Sequence, residues 1–547
     1  MESPRPLPAR AARFAALERP GLDVLVVGGG ITGAGLALDL ALRGLSVALV
    51  ERGDWACATS SASSRLIHGG LRYLEQFEFA LVRESCLERG FLLRNAAGLV
   101  WPERFVFPIH RGGPVGRAKL AAGLLLYAAV SVPRTLGFPR LLSGDAVRRA
   151  LPQARTQDLA GGGSYLDAAT DDARLALAVV LTAMEAGAHA LSRVEATAIE
   201  NGASGAAVTL LDRLSGDRCE VRARACVLAG GPFTDRLRSL AGLSGHWVAP
   251  TRGTHILVPR ERLPTDGAVI FNSPVDGRVL FLIPWPRSTV IGTTDLDAAP
   301  DVPPRATRAE VRYLLESANG LAPGAGLSEE DVIATYSGLR PLLAADEANP
   351  SARSREERML REGSIYTIAG GKLTGYRAMA EKLGARIARD LGKGLGGARS
   401  PTRSARLRGA LPERVPRPAW SSLDGTRPRN DEAALATAWS KRYGTLAPFV
   451  AESCGRAPEG ARALDAETLL GEVDFAVRFE DSLAASDFLF RRSDLAFAEP
   501  AQRSRASTAV LERMAEIHAW SKERLLREKA DLEEHFGRME AWRKDPA

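Results

Sequence analysis

The spacing of apolar and polar positions along the chain changes period several times, and the changes mark its elements. Residues 23–27 (DVLVV) and 46–50 (SVALV) are short, nearly unbroken apolar runs, the pattern of strands buried on both faces of a parallel sheet. Between them Leu36, Leu40 and Ala41 share one helical face up to Gly44, which predicts a helix joining two strands. The strand-to-glycine pattern returns in ACVLAGG (225–231) and IYTIAGG (365–371), the latter leading into a helical stretch that runs to Ile387. The longest apolar run, LAAGLLLYAAV (120–130), is about half of what crosses a bilayer. Basic residues precede it and Pro133 stops it, so it reads as a buried or surface helix, or as an interfacial helix dipping into one leaflet.

Beyond Leu391 the pattern dissolves into Pro, Gly, Ser and Arg, a linker over 391–430. From Asp431 helical periodicity resumes, predicting a helical domain over 431–547. Its last stretch, from Ala506 to about Trp542, is rich in Glu, Lys and Arg. That stretch reads as a solvated helical run packed on its own domain, with a homodimer or membrane contact as the alternative. Residues 1–20 carry Arg but no apolar core and read as a disordered leader.

A chain of 547 residues is long enough for two or three domains. Its net charge of +7 suits an anionic ligand or an anionic membrane face. No long basic run with interleaved aromatics is present, which argues against nucleic acid. The five cysteines are scattered and odd in number, and no CxxC pair occurs, which argues against a disulfide scaffold and a zinc site.

The first strand ends on Gly28, Gly30 and Gly33, a G-x-G-x-x-G turn leading into the helix. The second strand ends on Glu51, 23 residues past the first glycine. In that context the turn predicts a dinucleotide site: the glycines bring backbone N–H groups to a pyrophosphate at the helix N-terminus, and Glu51 accepts from a ribose. The later junctions at Gly230 and Gly371 suggest one nucleotide domain interrupted by insertions. FAD, long enough to be gripped at both ends, fits that arrangement better than NAD.

Residues 26–84 (VVGGGITG…FALVRE), DDARL (171–175), FLIPW with IGTTD (281–295), TYSGLRPL (335–342) and GGKLTGYR (370–377) resemble the flavin-linked, aerobic glycerol-3-phosphate dehydrogenases. The similarity is close over about 22–385. It continues more weakly to about 500, where GEVDFAVRFEDSLAASDFLFRR (471–492) resembles the family's C-terminal helical cap. Phe233 stands where the family usually has Trp.

The resemblance implies an α/β and α+β fold like D-amino acid oxidase. It has a Rossmann-type FAD-binding domain, an inserted β-sheet substrate domain interleaved with it over 21–390, and an added helical domain. It also implies oxidation of sn-glycerol 3-phosphate to dihydroxyacetone phosphate by hydride transfer to flavin N5, with non-covalent FAD. The same resemblance implies that electrons pass to ubiquinone or menaquinone at the cytoplasmic leaflet of the cell membrane. An oxidase using O2 is the nearby alternative, and a catalytically silent flavin-binding sensor the remote one.

For the site, the resemblance and the chemistry together suggest His255 as proton acceptor and Arg340 polarising the developing carbonyl. Arg72, Tyr73, Arg355 and Lys372 would bind substrate. Thr59, Ser60, Ser61, Ser63, His68 and Gly69 would contact the cofactor, as would Gly230, Gly371, Lys372, Leu373 and Thr374.

Overall fold

The computed structural model describes residues 4–75, 77–300, 302–344, 357–393, 399–412, 439, 442–456 and 470–546, apart from the side chain of Arg72. Among these residues the chain forms two sheets and a helical layer. The predicted strands Leu22–Val27 and Val47–Val50 pair in parallel, and Arg218–Leu228, Ile365–Gly370 and His189–Leu191 extend them. The resulting eight-stranded sheet also takes in Glu357–Glu362 and the hairpin Val194–Gly202 and Gly205–Asp212. Helices Ile31–Leu42, Asp172–Glu185 and Tyr376–Asp390 bury one face of it, around Val24, Val26, Leu36, Val179 and Leu383.

The second sheet has ten strands, mostly antiparallel, and the chain enters it twice, over 66–170 and over 251–340. Strand Thr251–Pro259 is its hub, paired with Ala334–Arg340 on one side and Ser288–Gly292 on the other. Helix Arg308–Leu321 covers one face, started by a reciprocal cap in which Thr307 and Glu310 satisfy each other's backbone N–H groups. The other face shares a core with the C-terminal helices, through Leu257, Trp285, Tyr336, Phe488, Phe497 and Met514. The helical domain is therefore packed onto the substrate-side sheet rather than tethered to it.

Three expectations are corrected. The supposed leader contains helix Arg10–Ala15, with Phe14 and Leu17 buried and Arg10 paired to Asp212 at 2.9 Å. Part of the supposed linker is built into the nucleotide domain. Asn95 donates to the carbonyls of Thr402 and Arg403 at 3.1 Å, and Leu407 joins the core; residues 413–430 lie outside the described residues. The tail is two helices, Pro500–Ile517 and Lys522–Glu540, broken where Ala519 takes φ +49° and Ser521 caps the second. The apolar run at 120–130 lies in helix Arg117–Val130. Leu120, Leu124 and Tyr127 face inward, and Leu125 and Leu126 are exposed. No helix among the described residues is long and apolar enough to cross a membrane.

Candidate active site

Three strand-to-glycine junctions lie side by side, because the strands ending at Val27, Leu228 and Gly370 are parallel neighbours in register. Their carboxyl ends make the edge at which open α/β sheets bind ligands. Gly28 takes φ +119°, and a Cβ there would stand 2.3 Å from the carbonyl oxygen of Ala229 in the neighbouring junction. A Cβ on Gly33 would stand 1.9 Å from the oxygen of Gly28, so the helix packs directly on the turn. Ser60 Oγ accepts the N–H of Ile31 at 3.0 Å, which places a hydroxyl at the helix N-terminus beside Gly30. Glu51 accepts N–H groups from Gly29 at 2.7 Å and Gly53 at 2.8 Å, and burial nonetheless raises its pKa. Glycine-only turns, a hydroxyl at the helix end and a fixed carboxylate at the second strand suit the pyrophosphate and ribose of a dinucleotide.

From this edge residues 59–73 cross to the second sheet and return. The Thr59 hydroxyl donates to the Leu339 carbonyl, and a Cβ at Gly338 would collide with Ala62 at 2.7–2.8 Å, so the segment presses against strand Ala334–Arg340. Both Ser63 donors, N–H and hydroxyl, go to Asp172 at 2.9 and 2.6 Å. Arg65 turns inward at φ +56°, with its guanidinium 4.1 Å from the Trp285 ring, 5.5 Å from Tyr336 and Phe497, and 4.0 Å from Asp172. Burial raises the Asp172 pKa to about 6 against the pull of Arg65. The Gly69 N–H goes to Tyr127 at 3.0 Å and Asp167 at 3.3 Å, and Arg89 closes that network on Asp167 at 2.6 Å. At the return, the Lys372 ammonium sits 3.8 Å from the centre of the Tyr73 ring.

His255 lies on the hub strand, 2% exposed, stacked on Tyr336 with ring centres 4.6 Å apart. Its Nε2 is 2.9 Å from Ser64 Oγ, while Nδ1 is buried without a hydrogen-bond partner among the described residues. Gly292 makes room for the ring, since a Cβ there would lie 2.2 Å from His255 Cδ2. Burial, then Arg340, then Arg65 push the His255 pKa well below its ordinary value, so the imidazole is neutral at physiological pH. Arg340 sits opposite Thr251, four residues along from Tyr336 and on the same face. Its guanidinium reaches Asp295 at 2.7 Å and Thr293 Oγ1 at 3.1 Å, over Gly253, where any side chain would meet it.

The structure thus brings His255, Arg340 and the 59–65 segment together, and Tyr73 with Lys372. Two of the expected cofactor contacts have their donors engaged within the chain. Ser63 gives both its N–H and its hydroxyl to Asp172. Gly69 turns its N–H inward, and what forbids a side chain there is Tyr127 Oη at 2.4 Å and Cys86 Sγ at 2.5 Å. Ser61 donates to the Ala56 carbonyl at 2.7 Å, shaping the turn. His68 meets Phe281 edge-on at 6.3 Å. Gly371 needs φ +85° beside Met379, Gly230 packs on Leu237, Leu373 rests on the nucleotide-domain core and Thr374 is buried. Phe233 lies under the guanidinium of Arg52, 4.1 Å away. Arg355 and the side chain of Arg72 lie outside the described residues. Sequence reasoning missed Asp172, Asp295, Ser64, Trp285 and Tyr336. Asp172 and Asp295 stand inside the quoted DDARL and IGTTD blocks, where an acid beside a cation-rich site was the available signal.

A family model described as FAD dependent oxidoreductase matches residues 23–387, and one described as the C-terminal domain of alpha-glycerophosphate oxidase matches residues 375–525. With two interleaved sheets and a dinucleotide edge, the chain belongs to the FAD-dependent oxidoreductases, and FAD is its cofactor. An aerobic glycerol-3-phosphate dehydrogenase of Staphylococcus aureus (strain MRSA252) is 35% identical over 385 residues, 69% of each chain. The Staphylococcus haemolyticus enzyme of that name is 36% identical over 369 residues, 66% of each. Within the class, the chain belongs to the aerobic glycerol-3-phosphate dehydrogenase family. The glycerol-3-phosphate dehydrogenase from Bacillus halodurans complexed with FAD superposes with a TM-score of 0.79 at 29% identity, covering 97% of both chains. The L-alpha-glycerophosphate oxidase from Mycoplasma pneumoniae shares the fold at a TM-score of 0.55 and 19% identity, over 71% of this chain and 98% of that one.

Proposed function

We propose that the protein oxidises sn-glycerol 3-phosphate to dihydroxyacetone phosphate and passes the electrons to a membrane quinone. FAD, when bound, supplies the acceptor for the two electrons and the hydrogen that leave C2. The chain's residues do the rest. Lys372, held over Tyr73, offers a point charge to the phosphate dianion. Arg340, fixed by Asp295 and Thr293, polarises the C2 oxygen as the carbonyl forms. Ser64 engages His255 at Nε2, so Nδ1 takes the hydroxyl proton. The observation that carries this reading is that imidazole: buried, neutral, held at one nitrogen and unpartnered at the other, on the face that also carries Arg340.

Three features support peripheral attachment to an anionic leaflet: the outward apolar side of helix Arg117–Val130, the basic residues before it and the net charge of +7. The match of residues 375–525 to a domain named for an oxidase favours O2 as a second acceptor to be tested. The experiment is anaerobic addition of sn-glycerol 3-phosphate to the purified holoprotein. Bleaching of the flavin band at about 450 nm is expected, and a spectrum that does not change overturns the reading. Reoxidation faster with a quinone analogue than with air is expected, and the reverse order assigns the oxidase activity.

A further inference from the structure

The C-terminal helical domain reaches past the substrate-side sheet into the loop that follows the second strand of the nucleotide domain. That loop, Glu51 to Cys57, fixes the dinucleotide edge from behind. Trp55 is 1% exposed and packs against Gly29, where a Cβ would meet its ring at 2.6 Å. Ala56, at φ +60°, donates its N–H to the Gly29 carbonyl at 3.1 Å. Glu51 ties the N–H groups of Gly29 and Gly53 together. A displacement of Trp55 therefore moves Gly29 and Glu51 with it.

The helical domain holds Trp55 and its neighbour from the far side. Asp481, 1% exposed and at φ +55°, accepts the indole N–H of Trp55 at 3.0 Å, the Ser192 hydroxyl at 2.8 Å and Arg13 Nη1 at 2.7 Å. A left-handed conformation at a buried non-glycine residue is uncommon, and it is kept here by three hydrogen bonds from three separate elements. Next to Trp55, Asp54 is 2% exposed and takes both Arg491 and Arg492, the latter also at 2.9 Å through its second nitrogen. Arg492 is fully buried and turns back onto the carbonyl of Glu480 at 2.8 Å. Arg174 grips the Glu480 carboxylate with two bonds of 2.8 Å. Buried, geometrically closed pairs of this kind specify one arrangement, and removing one partner leaves a charge stranded.

We propose that the C-terminal domain is a working part of the cofactor site: Asp481, through Trp55, and Arg492, through Asp54, position Gly29 and Glu51 for the adenosine diphosphate half of FAD. These are positioning residues, acting on Gly29 and Glu51 through Trp55 and Asp54. The coupling is reciprocal, so a ligand at the Gly28–Gly33 turn also tightens the docking of residues 480–492. The inference rests on the assignment of that turn and Glu51 to the cofactor.

The test uses the full-length protein and reads two quantities besides turnover: the rate of FAD release from the holoprotein on dilution, followed by flavin fluorescence, and the affinity for ADP of the same protein once FAD has been released. Asp481→Ala removes a charged acceptor and is expected to speed release and weaken ADP binding by roughly tenfold or more. Trp55→Phe removes the indole N–H that Asp481 holds and also shortens the ring whose Cε3 and Cζ3 lie against Gly29; it is expected to act in the same direction by roughly tenfold, and it carries the test if Asp481→Ala does not fold. Arg513→Ala breaks a pair with Asp474 inside the helical domain, away from the loop, and is expected to lower the melting temperature without changing FAD release. FAD release unchanged in Asp481→Ala and Trp55→Phe, or increased equally by Arg513→Ala, overturns the proposal. Glu51→Gln separates the two levels: if it loosens ADP while the Asp481 and Trp55 variants do not, only this inference fails. If it too leaves ADP binding unchanged, the site assignment beneath it fails.

Discussion

His255 shows how one side chain's surroundings set its chemistry. Two guanidinium groups and a buried, stacked position disfavour the imidazolium, so the imidazole stays neutral into acid. The acid limb of kcat/KM is expected well below 6.5, and a limb at 6.5 or above removes His255 as the titrating base. His255→Gln should lower kcat by about a hundredfold, the usual scale for a lost general base. The stability linkage has a definite sign: the folded pKa is depressed, so the histidine's contribution is present above about 6.5 and lost as pH falls through its folded pKa. Glu103 has the opposite sign. Burial raises its pKa to about 7, against hydrogen bonds from Trp101 Nε1 at 3.4 Å, the Arg104 N–H at 3.2 Å and the Ala268 backbone. Its contribution is therefore favourable below about 4.5 and is lost as pH rises through about 7. Glu103→Gln should stabilise the protein by on the order of 2 kcal/mol at pH 8 and by nothing at pH 4.5, checked by denaturant melts at both pH values. At this scale the sequence was only half legible. His255 and Arg340 stood in motif stretches, but Arg65 sits in a serine-rich stretch with no local sign of burial. Its burial depends on Trp285, Tyr336 and Phe497, which come from three other segments.

Elements whose logic is local were readable, and the dinucleotide turn is the clearest. Gly33→Ala puts a methyl 1.9 Å from the backbone oxygen of Gly28, and a Cβ fixed to the helix cannot swing away from it. The expected result is protein with native far-UV circular dichroism but flavin content at least roughly tenfold lower, read from the ratio of visible to ultraviolet absorbance. Full flavin content in that variant would remove the turn from the cofactor site. The parallel strands were legible because they are buried on both faces and read as continuous apolar runs. Strands Leu66–Ile67 and Arg140–Leu142 were not, because two or three residues carry no period and pairing comes from strand Leu159–Thr170 far along the chain. The N-terminal helix was missed for a related reason. It spans only Arg10–Ala15, and Phe14 and Leu17 bury themselves against Val208, Leu210 and Val221 of the hairpin sheet, partners no local window contains. The tail's break at Ala519 left no apolar gap, so one amphipathic run concealed two helices.

On the scale of the whole molecule, several strongly exposed apolar side chains gather in one region. Phe138 is 87% exposed, Phe77 78%, Leu125 64% and Val132 55%, in helix Arg117–Val130 or the turns beside it, while Leu526 and Val302 lie in other segments. Ala122, Leu125, Leu126 and Ala129 make the outer face of that helix, without a charge among them. Arg117 and Lys119 stand at its start, and Lys119 pairs with Glu75 at 3.0 Å in the turn that leads to Phe77. An apolar face rimmed by cations suits the anionic lipid surface proposed above, on which the rings and leucines would enter the acyl boundary and the cations would stay at the headgroups. Burying one such side chain contributes about 1.5–3 kcal/mol, so losing two should matter far more than losing one surface charge. Leu125→Glu with Phe138→Glu should weaken cosedimentation with phosphatidylglycerol vesicles by about a hundredfold. Both positions face solvent and lie outside the site, so flavin content and turnover with a soluble dye acceptor should not change. Salt alone should weaken the wild type only in part, because screening removes the headgroup attraction and leaves the apolar contact. Undiminished vesicle binding by the double variant would mean that this face does not meet the membrane. Binding abolished by salt alone would reduce the contact to its cations. Only partial loss with salt together with near-complete loss in the double variant matches a helix seated in the leaflet.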